Sequence, residues 1–155
     1  MHEAMRIGAL LAVGLAVGCS GSRPDTLGVT DSRLAACPPT PNCVCSDERE
    51  SERRIEPFRL ATDPKAAWDA LQDVLSATTR TRIVTRTADY VHAEGTSLVF
   101  RFVDDAEFHL RSEEGIIAVR SASRLGSSDF GVNRRRIERL RDRLIEAGAI
   151  RRGER

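Results

Sequence analysis

No apolar run in this chain reaches the roughly 18 to 20 residues that a spanning helix needs, so a polytopic membrane protein is excluded. Charge of one sign is missing too: 24 Lys plus Arg face 23 Asp plus Glu, for a formal net charge of +1. A domain without a basic footprint has no global field to gather nucleic acid, and no nucleic-acid partner is expected. Aromatics make up only 5% of the chain. The sequence also lacks G-x-S-x-G, H-E-x-x-H and G-x-x-x-x-G-K-[ST], which removes the nucleophile elbow, the zinc helix and the phosphate loop. What is present is a 155-residue chain, 41% hydrophobic and 30% charged, which is enough apolar content for one folded domain.

The N-terminus reads as an address. Residues 7–18, IGALLAVGLAVG, form a short glycine-containing apolar stretch after Arg6, the make-up of a signal-peptide h-region. Ala16-Val17-Gly18-Cys19 resembles a bacterial lipobox, which implies that Cys19 carries the lipid and becomes the mature N-terminus; an ordinary cleaved signal with an incidental cysteine is the alternative. Ser20 lacks the aspartate that retains such lipoproteins in the inner membrane. The resemblance therefore implies a lipid-anchored envelope protein at the periplasmic face of the outer membrane. The organisation expected is a signal at 1–18, lipidated cysteine and tether at 19–36, one domain at 37–148 and a basic disordered tail at 149–155. As an extended tether, 20–36 would reach about 50 Å.

Four cysteines are present, Cys19, Cys37, Cys43 and Cys45, and lipidation of the first leaves an odd number. In an oxidising compartment Cys37 is expected to pair with Cys43 across a proline-stiffened loop, with Cys37 to Cys45 as the alternative. A thiolate cluster for copper(I) or zinc is the other use of such spacing, but no histidine lies nearby. No metal and no cofactor is expected. Cys45 precedes Asp47 and Glu48, which disfavour a thiolate.

Asp63-Pro64 supplies an N-cap and first-turn proline for a helix with Ala67, Trp68, Leu71, Val74 and Leu75 on one stripe. From Arg82 to Arg124 the period falls to two, which predicts successive antiparallel strands. A turn at Gly95-Thr96 would set Ala93 against Leu98 and Val91 against Phe100. A loop at 112–115 would set Leu110 against Ile117, Phe108 against Val119, Ala106 against Ser121 and Asp104 against Ser123. A second helix is expected from about Gly131 to Ala147, ended by Gly148. With a short edge strand within 55–60, the order is strand, helix, four strands, helix. The fold class expected is α+β: an antiparallel sheet of four to five strands with helices on one face, resembling TATA-binding-protein-like or helix-grip folds.

Cys37-Pro38 with Pro41-Asn42-Cys43-Val44, then Phe100 to Asp105 with Glu107, then Arg120-Ser121-Ala122-Ser123-Arg124 with Gly126, Asp129, Gly131, Val132, Asn133 and Arg134 closely resemble the family called domain of unknown function 1499. That likeness covers roughly residues 35 to 147 and implies no known activity, cofactor or catalytic residue. Cys45 stands where the family looks to have serine.

The chemistry-bearing residues are Asp104, Asp105, Glu107, Arg120, Ser121, Ser123, Arg124, Asp129 and Asn133, a polar cluster that is either structural or functional. Alternation puts Asp104 on the opposite sheet face from Asp105 and Glu107, so these carboxylates form no single acid–base dyad. Asp104 is expected to accept hydrogen bonds from the start of the last helix. Glu107 and Arg120 are expected to pair in solvent, and His92 and His109 to be exposed on the face away from the helices. From Arg124 to Arg155 ten arginines face five acids, which fits either a solvated helix with pairs such as Arg134 with Glu138, or a polyanionic partner. The function expected is non-catalytic binding of an envelope ligand, lipid or protein partner. The alternative is a hydrolase or isomerase built on Asp104, Ser123, Arg124 and Asn133.

Overall fold

The computed structural model describes residues 21–49, 52–98, 101–126 and 128–153. The signal segment and Cys19 lie outside the described residues. In chain order the elements are β1 (Val29–Thr30), β2 (Arg33–Leu34), β3 (Cys43–Cys45), β4 (Phe58–Arg59), α1 (Pro64–Ser76), β5 (Thr81–Arg86), β6 (Tyr90–Thr96), β7 (Val103–Arg111), β8 (Ile116–Ser123) and α2 (Val132–Glu146). β1 and β2 form a small hairpin. The others make one antiparallel sheet in the order β3-β8-β7-β6-β5, with β4 sharing the free edge of β8 beside β3. The class is α+β, and six strands replace the expected four to five because Cys43–Cys45 adds an edge strand too short for period reading.

Both helices begin and end where their caps dictate. The Asp63 carboxylate accepts the Ala66 amide at 3.1 Å, and Pro64 takes the first turn, where no amide hydrogen is needed. Gly131 precedes α2 with φ 76°, a conformation that costs glycine little, and Asp129 accepts the Gly131 and Asn133 amides. Each helix turns one apolar stripe to the same sheet face. Ala67, Trp68, Leu71 and Leu75 of α1 and Ile137, Leu140 and Leu144 of α2 pack with Val91, Ala93, Ala106, Phe108, Ile117 and Val119. Burying a side chain such as Phe108 contributes roughly 1.5 to 3 kcal/mol, so this layer is the main source of stability. Phe58 stacks on Phe108 with centroids 6.3 Å apart, and the Arg141 guanidinium caps Phe58 at 4.9 Å.

The β7–β8 hairpin has the expected register: Asp104 pairs with Ser123, Ala106 with Ser121, Phe108 with Val119 and Leu110 with Ile117. The preceding hairpin differs. β6 runs straight through Gly95-Thr96, and the chain turns over residues 97–102, so Val91 pairs with Phe108 and Ala93 with Ala106. Gly95 is not a turn residue but a gap. A Cβ there would lie 3.1 to 3.3 Å from the Arg136 guanidinium, which crosses the strand at that point.

Residues 21–36, expected as an extended tether, lie on the sheet face opposite the helices. Leu34 is buried with Cys45 and Ala118, and the Gly28 amide donates to Glu107 at 2.8 Å. The outer-face side chains hold this segment by charge and backbone hydrogen bonds, which an apolar-run reading does not register. Residues 149–151 are ordered as well: Ala149 and Ile150 are buried, Leu60 bridges Ile150, and the Arg151 amide donates to Arg59.

Candidate functional site

The sheet places polar side chains in two separate assemblies. On the helix side, Asp104 of β7 receives the Arg136 guanidinium at 2.5 Å. Arg136 also donates to Ser121 Oγ and Asn133 Oδ1. The fully buried Asn133 amide donates to the Asn42 carbonyl, Ser123 Oγ and Asp129, while its oxygen accepts from Ser121 Oγ at 2.6 Å. Asn42 in turn reaches the Gly126 carbonyl at 2.6 Å. The expectation that Asp104 ties the last helix to the sheet holds, with Arg136 as the donor. Arg136 is legible only once α2 is placed: it sits three residues after Asn133, on the same helix face.

On the other side the alternate residues form a ladder. His92 Nε2 is 2.7 Å from Asp105 Oδ1, and Arg124 grips both Asp105 oxygens at 2.7 and 2.9 Å. Arg124 also donates to Glu94, which takes Arg82 and Arg23 as well. Glu107 accepts from Arg120 at 2.7 Å, from the Tyr90 hydroxyl and from the Gly28 amide. Arg111 clamps Asp47 with both terminal nitrogens, and its Nε donates to His109 Nδ1 at 3.2 Å. This arrangement corrects two expectations. The Glu107–Arg120 pair is buried, with side chains 0% and 5% exposed. His92 and His109 face away from the helices yet are buried. Alternation identifies the face of a strand; it does not reveal that residues 21–48 cover it.

Titration follows from these contacts. Burial opposes ionisation of Glu94, but Arg82, Arg124 and Arg23 prevail and hold its carboxyl at about 2. Asp105 is likewise desolvated yet lies below the usual carboxylate range because of Arg124 and His92. Burial raises the Tyr90 hydroxyl, and the neighbouring Glu107 carboxylate raises it further. Burial and the Arg111 cation both lower His109. The Cys45 thiol is pushed up to about 11, chiefly by burial, so it is protonated and inert at neutral pH. Cys37 and Cys43 are bridged, leaving Cys45 as a free thiol.

One acid–base constellation does not assemble. Asp104, Ser121, Ser123 and Asn133 meet, but Arg124 belongs to the opposite face with Asp105. Asp104 is taken by Arg136 and Ser123 by Asn133, and none of these three residues lines the cleft between the end of α1 and α2. His92, Glu94 and Asp105 bring ligand atoms within 4.8 Å of one another. Three arginines already occupy those carboxylates, so the donor set does not fit a cation. Arg134 differs from expectation too: it donates to the Glu52 and Arg54 carbonyls, and Glu138 pairs with Arg141.

Among the described residues, a cleft of about 280 Å3 opens between the end of α1, the β5–β6 edge and α2. Leu75, Ala106, Val132 and Leu140 give it an apolar floor, and Thr78, Thr79, Thr81, Thr96 and Ser97 give hydroxyls. Arg80, Arg136, Arg139 and Arg143 rim it, and no carboxylate lines it. Arg136 and Arg143 are committed to internal partners, the latter to the Val74 carbonyl and Thr78 Oγ1. Among the described residues, no acid pairs with Arg80 or Arg139. Sequence reading found the arginine excess of this region but not the cleft, since its lining comes from five separate elements.

No curated protein and no solved structure matches the chain. A family match does exist, and it spans the chain from β2 through most of α2, including both polar assemblies except Arg23 and Gly28. Because residues 33–144 match the model described as Protein of unknown function (DUF1499), the chain belongs to that family.

Proposed function

We propose that the domain is a binding module held at the cell envelope by a lipid on Cys19, and that its ligand site is the arginine-rimmed cleft. The carrying observation is the combination of an apolar floor with two uncommitted guanidinium groups and no lining acid. That chemistry suits a small anion bearing a short apolar segment, its phosphate or carboxylate on Arg80 and Arg139 and its carbon chain on Leu75, Val132 and Leu140. A volume of about 280 Å3 lies just below the roughly 300 to 1,000 Å3 of ligand pockets, so a whole lipid does not fit. A non-catalytic role is supported by the internal commitment of the Asp104, Ser121, Ser123 and Asn133 groups.

Calorimetry with hexyl phosphate tests the site. Binding by the wild type and its loss in Arg139→Gln, with an unchanged melting temperature, is the expected result. Equal binding by both would remove the cleft from consideration. The envelope part is tested separately: mass spectrometry of the mature N-terminal peptide should find Cys19 diacylated, and an unmodified Cys19 would refute the anchor. An outer-membrane position at the periplasmic face is the site proposed, supported by Ser20 following the cysteine.

A further inference from the structure

The end of the sheet at which the cleft opens carries another feature. β6 turns into β7 over residues 97–102, and β8 leads to α2 over 124–131. Thr96 pairs with Val103, and the Arg124 amide donates to the Val103 carbonyl at 3.2 Å, so the two connections lie side by side. Phe130 is 88% exposed there and Leu98 74%, with Leu125 at 37%. Among the described residues, Val29 is the one exposed large hydrophobic residue outside these two connections. Soluble surfaces scatter such residues singly; clustering them at one tip marks a contact surface. Phe130 also holds φ at 51°, in the left-handed region that bulky side chains rarely adopt, and Arg135 fixes it by donating to the Phe130 carbonyl at 2.7 Å.

The net charge around these side chains is positive: the carboxylate that lines the space beside Leu98 and Arg101, Glu94, is neutralised by Arg23, Arg82 and Arg124. Arg101 and Arg135 are exposed, and Arg80 adjoins them through the hydrogen bond from the Thr96 amide to its carbonyl. The acid of the two connections is Asp129, whose carboxylate is taken by Gly131 and Asn133. The chain arrives at the same place. A Cβ on Gly21 would lie 3.0 Å from Arg124 Cβ and 3.2 Å from the Leu125 side chain, so Gly21 rests on the 124–131 connection. Cys19 precedes it by two residues, a span of at most about 7 Å.

We infer that this end of the domain docks directly on a bilayer bearing anionic headgroups. Leu98, Leu125 and Phe130 enter the interfacial zone, and Arg80, Arg101 and Arg135 meet lipid phosphates. The inference rests on the reading above in placing the chain at an envelope membrane. It deepens that reading, because Arg80, Thr96 and Ser97 border both the cleft and the space beside Leu98 and Arg101. The cleft would then open toward the headgroup layer. One lipid chain gives only marginal membrane binding, and a protein surface of this kind supplies the second attachment.

The test is co-sedimentation of residues 20–155, which retain the core, the disulfide and every contact described above. Vesicles are made of phosphatidylglycerol with phosphatidylethanolamine, or of phosphatidylcholine alone. The wild type should bind the anionic vesicles preferentially. Leu98→Ser with Phe130→Ser should weaken that binding about tenfold or more at unchanged melting temperature, since both side chains are exposed. Arg101→Gln with Arg135→Gln should abolish the preference for phosphatidylglycerol. Absence of wild-type binding to either vesicle, or binding unaffected by both pairs, would overturn the proposal. So would unbound vesicles with self-association that the Leu98 and Phe130 pair abolishes, which would assign the surface to a second copy. Arg139→Gln separates the two readings. If vesicle binding persists while hexyl phosphate fails to bind even the wild type, the cleft reading fails and docking stands; the reverse pattern sinks docking alone.

Discussion

The two faces of this sheet are buried by opposite means. The inner face meets α1 and α2 through aliphatic and aromatic side chains, with one polar knot at the Asp104 end. The outer face meets residues 21–48 through carboxylates, guanidinium groups and backbone amides, with a small apolar patch at Leu34, Cys45 and Ala118. Apolar burial is nearly independent of pH and forgiving of geometry. Ionic burial is neither, because each charge removed leaves its partner desolvated and unpaired. The two layers should therefore fail under different insults.

Acid is the strongest way to separate them. Glu94, Asp47 and Asp105 ionise below the usual carboxylate range in the fold. A carboxyl depressed on folding contributes stability above its unfolded value, and that contribution is lost as pH falls through the folded one. For Glu94 the window runs from about 4.5 down to about 2. His109, also lowered, has the same sign: the unfolded chain binds its proton first, so stability declines as pH drops below about 6.5. The melting temperature should decline gently below neutrality and steeply between pH 4.5 and 2. A melting temperature flat down to pH 2 would show that the outer face carries no net stability.

Single substitutions give smaller effects in a definite order. Glu107→Ala strands Arg120, the Tyr90 hydroxyl and the Gly28 amide beneath the covering segment, and should cost about 3 to 5 kcal/mol in urea unfolding. A cost under about 1 kcal/mol would return that pair to the solvent-facing class. Asp104→Asn keeps the shape but removes the charge facing Arg136, with an expected cost of about 1 to 3 kcal/mol. Arg23→Ala sits at the bottom of the scale. Its side chain is 49% exposed and is one of three arginines on Glu94, so a loss of about 0 to 1 kcal/mol is expected. A larger loss would mean that residues 21–36 are pinned chiefly at their start.

The fold was legible where a periodic pattern and its punctuation agreed. Asp63-Pro64 and the stripe from Ala67 to Leu75 fixed α1, and the match of apolar rows across 112–115 fixed the β7–β8 register. The pattern misled at Gly95, because glycine marks a turn or a close approach equally well, and here Arg136 needs the space. The inner knot was partly legible, since Asp104 alternates into phase with the core and a buried carboxylate must find donors. The ladder was not. Period two assigns Glu107, Arg120 and His92 to the outer face, but whether a face is wet depends on what the rest of the chain lays over it. Residues 21–36 are aperiodic, and their affinity for the sheet resides in groups such as the Gly28 amide that carry no sequence signature.

Cys45 turns the covering segment into something that can be timed. Its side chain is wholly buried against Leu34 and Ala118, and that burial raises its thiol to about 11 while the cover is in place. Alkylation of Cys45 in the folded protein therefore waits for Leu34 to lift away. Its rate, compared with that of an ordinary exposed thiol, gives the fraction of time the segment stands open. The molecule thus contains its own clock for the exchange between covered and bare sheet.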